Sequence, residues 1–295
     1  MMAYFAYLIT RGFVGLFGLL PFPALYTLSN LLAAVFIRFG YRNNVMFGNL
    51  RRCFPELSDA ELNQIAKASY RNLCDVTLES VKGVTLPRSE IQKRYQCVGH
   101  ERPNTHLKNG KPILMVGGHV NNWEWGVLTI ADGFEGTSYG VYKPLSNKYI
   151  NNWYTDARNR DPKMVLTPMR ETFAAVKANQ NKPAVFVLVA DQSPSNRESA
   201  QWVDFFGQPT ACAPGPDVIA RTNNMPVFMY HTQRISRGYY KMEFTPLHEN
   251  PAELPVGGVT RLFMQALEKD IREQPGNWLW SHKRWKIPAP SNLSV

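Results

Sequence analysis

The sequence predicts an α/β fold: a mixed central sheet flanked by helices, preceded by an N-terminal membrane-associated helix. Three observations predict it. Beyond residue 112, short apolar runs alternate with helical patterns. Residues 12–37 carry no charge at all. The 295 residues, 44% hydrophobic and 19% charged, suffice to bury a core without disulfides or metals and exclude a disordered chain.

The charge-free run comes first. As one helix, Gly12–Ile37 would reach roughly 39 Å at about 1.5 Å per residue, more than a hydrocarbon core of about 30 Å. Pro21 and Pro23 would kink it, so it could also lie partly in the interface. Phe, Leu and Tyr occur on every face, without a polar stripe. The run is too long for a cleaved signal peptide, and no small-residue cleavage site precedes an acidic start. Arg38, Arg42, Arg51 and Arg52 follow it closely. By the positive-inside tendency they place the rest of the chain in the cytoplasm, with Arg11 on the other flank pulling weakly against this.

The later elements follow in order. Ser58 and Glu61 form a capping box that opens a helix to about Val81. Ile113–Val116 is a buried strand, followed by a helix through about Ala131. Ser138–Tyr142 is a strand and Tyr149–Arg158 a helix. Met164–Leu166 is a short strand, with a helix over Glu171–Ala178. Ala184–Ala190 is the strongest strand pattern, and Pro214–Asn223 is helical. Val227–Gln233 and Tyr239–Phe244 pair around Ser236-Arg237-Gly238, and Val259–Glu273 is the last helix.

Charge position narrows the partner. There are 33 Lys+Arg and 23 Asp+Glu, a net +10. Residues 1–55 hold five arginines and no acid; residues 277–295 hold Lys283, Arg284 and Lys286 and no acid. The excess is therefore terminal. It lies beside the apolar run and in a tail containing Trp278, Trp280 and Trp285, which suits an anionic membrane surface better than nucleic acid. Cys53, Cys74, Cys97 and Cys212 form no Cys-x-x-Cys pair, which fits a reducing compartment and supports no metal site.

Chemistry concentrates after the first buried strand, in Gly117-Gly118-His119-Val120-Asn121-Asn122-Trp123-Glu124. Five helical residues turn about 500°, so His119 and Glu124 cannot meet as ordinary helix residues. They can meet if His119 sits on the turn and Glu124 on the helix's first turns. Glu124 would then accept from one ring nitrogen of His119 and leave the other as a general base. The helix N-terminus would offer amides to a developing oxyanion. A structural histidine in a turn is the plain alternative.

Several blocks in order resemble the bacterial lipid A biosynthesis acyltransferases, late enzymes that add secondary acyl chains to a lipid A precursor. The His-x4-Glu pair follows a strand, as in that family. Asn49-Leu50-Arg51-Arg52-Cys53-Phe54-Pro55, Val141-Tyr142-Lys143-Pro144, Asp191-Gln192 and Leu279-Trp280-Ser281-His282-Lys283-Arg284-Trp285-Lys286 resemble its other blocks. The resemblance implies a glycerol-3-phosphate acyltransferase-like fold, residues 1–40 as membrane anchor and residues 41–295 as catalytic domain. It places the enzyme at the bacterial inner membrane, facing the cytoplasm.

The resemblance also implies an acyl carrier protein thioester as donor, an anionic lipid as acceptor and no cofactor. His119 would deprotonate the acceptor hydroxyl and Glu124 would orient His119. Lys143, Arg170, Asp191, Asn122, Gly118 and Arg284 are candidates for substrate binding or oxyanion stabilisation, whereas Arg158 and Arg160 read as surface residues. No Gly-x-Ser-x-Gly elbow is present, as befits attack on an already activated thioester. Acylation of another glycolipid or aminolipid, thioester hydrolysis and simple lipid binding stay open.

Overall fold

In the computed structural model, which describes residues 1–290, the charge-free run is two helices. They are α1 (Met2–Gly18) and α2 (Phe22–Phe39). The expected single kinked helix is broken outright, because Pro21 takes an extended conformation as the N-cap of α2 and Pro23 fills its first turn. Gly40, at φ +64°, ends α2 in the left-handed region. Helix α3 (Asn43–Cys53) follows, then α4 (Asp59–Gly83). The expected capping box opens α4: Glu61 N–H donates to Ser58 Oγ, and Ser58 N–H to Glu61.

Three short elements escaped the sequence pattern: α5 (Arg88–Arg94), β1 (Tyr95–Val98) and α6 (Glu101–Lys108). The alternation then runs as expected. It comprises β2 (Ile113–Gly117), α7 (Trp123–Thr129), β3 (Thr137–Tyr142), α8 (Lys148–Arg158), β4 (Met164–Pro168), α9 (Thr172–Ala178) and β5 (Ala184–Val189). An unpredicted hairpin, β6 (Gln201–Phe205) and β7 (Gln208–Cys212), turns at Phe206-Gly207, both with positive φ. Helix α10 (Gly215–Thr222), strands β8 (Val227–Ser236) and β9 (Tyr239–His248) and helix α11 (Gly258–Glu273) complete the described elements.

The main sheet has the order β1-β9-β8-β2-β5-β3-β4. It is mixed, because β8 and β9 pair antiparallel while every other neighbouring pair is parallel. Strand β2 is buried along its whole length, as a parallel strand covered on both faces should be. One apolar cluster joins α3, α4 and α11 to one face; another packs Trp125, Phe134 and Tyr240 on the other.

The tryptophan tail is not a membrane rim. Trp278 and Trp280 are buried and pack edge-on to each other, and Trp285 Nε1–H donates to Thr210. Arg284, a substrate candidate from the sequence, is 1% exposed; it donates to Ala211 C=O (2.7 Å) and to Cys212 Sγ (3.0 Å). It ties the tail to β7 and is withdrawn from any ligand.

Candidate active site

Strands β2 and β5 run side by side in the same direction, with Gly117 paired to Val189. The register continues past both ends. Ala190 N–H donates to Gly117 C=O, and His119 and Asp191, each two residues beyond the last pair, meet. His119 Nδ1 lies 2.6 Å from Asp191 Oδ1. The His119 amide (2.9 Å) and the Trp278 indole N–H (2.8 Å) both donate to Asp191 Oδ2. Gly118 lets the two chains close, since a Cβ there would sit 2.7 Å from Leu267 Cδ1 and 3.4 Å from Asp191 Oδ2. Gly118 is thus a spacing residue.

The electrostatics follow from this geometry. Asp191 is buried, which alone would raise its pKa. The charge and hydrogen bond of His119, with its amide and the Trp278 indole, reverse that and hold the carboxyl at about 2. Burial pushes His119 the other way, towards neutrality. The charge and hydrogen bond of Asp191, helped by the charge of Glu124, outweigh burial, and the imidazole titrates above its ordinary value. A carboxylate only accepts, so Nδ1 carries the proton and Nε2 keeps its lone pair. Nε2 faces the Gln192 amide nitrogen at 3.3 Å, and Trp123 packs edge-on to the ring at 5.1 Å.

Glu124 is not the hydrogen-bond partner of His119. It begins α7, as the sequence suggested, but its carboxylate accepts from Tyr154 Oη (2.9 Å) and from the Arg158 guanidinium. Arg158 is therefore no surface residue: its side chain is 14% exposed and stacks on Tyr154. Trp123 and Arg158 both line an apolar cavity whose other walls include Val127, Ile130, Val187 and Tyr230. Arg158 is the one charged residue among its described lining. The His119–Asp191 pair thus touches the wall of an apolar cavity through Trp123.

A sequence profile described as bacterial lipid A biosynthesis acyltransferase matches residues 1–287. The chain belongs to this family. It resembles the lipid A biosynthesis lauroyltransferase of Escherichia coli strain K12, at 25% identity over 90% of this chain and 87% of that protein. It also resembles the palmitoleoyltransferase of the same strain, at 23% identity over 96% of this chain and 92% of that protein. A lipid A biosynthesis acyltransferase of Haemophilus influenzae is 22% identical over 79% of this chain and 72% of that protein. The protein is accordingly an acyltransferase.

The remaining candidates of this acyltransferase scatter. Lys143 and Arg170 follow β3 and β4 at the same C-terminal end of the parallel strands as His119, and both are exposed. Asn122 is fully buried: its Oδ1 caps α7 by accepting from Trp125 N–H, and its Nδ2 donates to Glu79 at 2.7 Å. It shapes the turn after His119 and does not face a ligand. Only part of the backbone oxyanion site expected at the start of α7 is spent, because Trp125 N–H is bonded while the Trp123 and Glu124 amides meet no acceptor among the described residues. The amides of His119, Val120, Asn121 and Trp125 already donate to Asp191, Gly118, Asn277 and Asn122. Arg160 is half-buried and caps α4 through Gly83 C=O (2.5 Å).

Sequence reasoning gave Trp278 to a membrane-facing tail and His282 no role, yet both lie at the His119–Asp191 pair. Trp278 reaches Asp191, and His282 Nε2 accepts from Ser193 N–H, two residues beyond Asp191. Burial holds His282 down at about 4, so it stays neutral. Another His–carboxylate contact, His231–Asp270, has its second nitrogen held more closely, by Thr245 at 2.6 Å against 3.3 Å from Gln192 to His119. Among the described residues, no three His, Cys, Asp or Glu side chains converge as a metal site.

Proposed function

We propose that the protein transfers a fatty acyl chain from an acyl thioester to a hydroxyl of a lipid A precursor at the bacterial inner membrane, from its cytoplasmic side. The observation that carries this reading is a His119–Asp191 pair with a buried carboxylate, its Nε2 met only by the Gln192 amide at 3.3 Å, joined through Trp123 to an apolar cavity. His119 Nε2 takes the proton from the acceptor hydroxyl as the oxygen attacks the thioester carbonyl. Asp191 fixes the tautomer and stabilises the imidazolium that forms. The tetrahedral intermediate then collapses, and the departing thiolate takes that proton from His119. Net transfer consumes no co-reactant.

The cavity takes the acyl chain, and Glu124 holds Arg158 at its wall, where the guanidinium faces the polar end of the donor. Acyl carrier protein is the donor carrier this reading favours. The apolar faces of α1 and α2 hold the enzyme at the membrane, so residues 1–40 serve as its anchor.

Wild-type protein and His119→Ala are compared with an acyl carrier protein thioester and a lipid A precursor. Lipid products and free fatty acid are followed separately. Loss of transfer by about 100-fold or more in a folded variant is expected. Free fatty acid as the main product with acceptor present would make the protein a thioesterase. An unchanged lipid A mass profile in a strain lacking the protein would point to another acceptor lipid.

A further inference from the structure

We infer that α1 and α2 lie broadside on an anionic bilayer, embedded from one side, and that neither crosses it. This rests on the membrane reading above. By length and composition alone α2 could span, but its packing forbids it. Helix α2 runs antiparallel to α4 over its whole length. Lys82 Nζ sits 5.1 Å from the centre of the Phe22 ring, Tyr26 Oη donates to Glu79 (2.8 Å) and Ser29 Oγ to Asp75 (2.5 Å). Further along, Phe36 packs edge-on to Tyr70, and Tyr70 Oη donates to Tyr41 C=O.

The far side of this contact is charged. Asp75 also accepts from Arg234 (2.6 Å) and Arg237 (2.5 Å), and Arg237 reaches Asn30 of α2 (2.9 Å). If α2 crossed a hydrocarbon core of about 30 Å, α4 and these ions would enter it too. Charged groups at that depth are strongly disfavoured. Helix α1 is tied at both ends. Asn147 Nδ2 donates to Ala3 C=O (2.8 Å) near its start; Lys82 Nζ donates to Gly18 C=O (2.9 Å) and Leu20 C=O (2.6 Å) at its end. Upright insertion would break both ties.

The outer faces fit lipid. Phe5, Ile9, Phe13 and Leu16 form an exposed stripe on α1, and Leu31, Val35 and Phe39 one on α2. Residues 1–55 contain five arginines and no acidic residue, which selects an anionic headgroup surface. With 17 and 18 residues, each helix spans only about 26–27 Å at about 1.5 Å per residue.

The test is thiol sidedness in the full-length protein. Met2→Cys, Pro21→Cys and Asn44→Cys mark the start of α1, the α1–α2 turn and the residues after α2; Lys108→Cys marks the catalytic domain. All four positions are exposed. A membrane-impermeant maleimide is applied to spheroplasts and to inverted inner-membrane vesicles, with activity checking that each variant folds. All four thiols are expected to react from the same side. A Pro21→Cys thiol that reacts only from the opposite side, or only after detergent, overturns the inference while leaving membrane association intact. Failure of the wild-type protein to sediment with phosphatidylglycerol-containing vesicles overturns the membrane reading itself, and this inference with it.

Discussion

Asp191→Asn removes a charge and leaves the shape. In the wild-type protein the Asp191 carboxyl falls from 3.8 to about 2, which at about 1.36 kcal/mol per pKa unit is about 2 kcal/mol of stability. That contribution is present above pH 3.8 and lost as pH falls through about 2. The matching shift of His119 is upward, so its contribution is complete below pH 6.5 and fades as pH rises through the folded value. Both shifts describe one contact and count once. The stability gap between wild type and Asp191→Asn should therefore peak at about 2 kcal/mol between about pH 4 and pH 6.5 and shrink in more alkaline buffer. Thermal or denaturant melts at pH 5.5 and pH 9 measure it.

Activity should suffer more. An asparagine amide turned towards Nδ1 reverses the tautomer and puts the proton on the nitrogen that must act as base, a loss of about 100-fold or more in kcat/KM. Burial of the imidazole persists without its compensating charge, so the acid limb of the kcat/KM–pH profile should move to lower pH. A variant with more than about one-tenth of wild-type kcat/KM, or with an unmoved acid limb, would refute Asp191 as the partner of the base.

Three further outcomes follow. Glu124→Gln should lower kcat/KM by about 10-fold or more by releasing Arg158, yet move the acid limb less than Asp191→Asn does; a larger shift would return the orienting role to Glu124. Val127→Phe narrows the cavity and should favour shorter acyl thioesters, measured as relative kcat/KM across a chain-length series; an unchanged preference would place the acyl chain elsewhere. Arg284→Met leaves Ala211 C=O unpaired and should cost at least about 2 kcal/mol, lowering Tm by about 4–8 °C. A full-strength Tm with impaired substrate binding would restore Arg284 as a ligand residue.

Local chemistry wrote much of this fold into the sequence. The Ser58–Glu61 capping box, the apolar run of β2 and the glycine-led turn to His119 need only neighbours, and all three were legible. The partner of His119 was not. Asp191 lies 72 residues away, and only the β2–β5 register brings it to the ring. Glu124 was the visible carboxylate because spacing is local, whereas strand order is not. Arg284 was obscured in the same way: a tail rich in Trp, Lys and Arg reads equally as a membrane surface or as a packed terminus, and its burial against β7 depends on a hairpin whose polar strands carried no clear pattern. The four-residue β1 is likewise too short for periodicity to resolve.

The source of each carboxylate has a mechanical consequence. His119 and Asp191 extend two paired, buried strands, so their separation is set by the sheet ladder. Glu124 rides on α7, a helix of seven residues positioned through side chains. Its cap Asn122 donates to Glu79, its Trp125 indole donates to the Glu79 carbonyl, and the Glu79 carboxylate also accepts from Tyr26 of α2 and Tyr240 of β9. These bonds link α2 through Glu79 to α7, which carries Glu124 and part of the cavity wall. The proposed base thus extends a paired strand of the sheet, while residues that line the cavity connect to the helices proposed to rest in lipid.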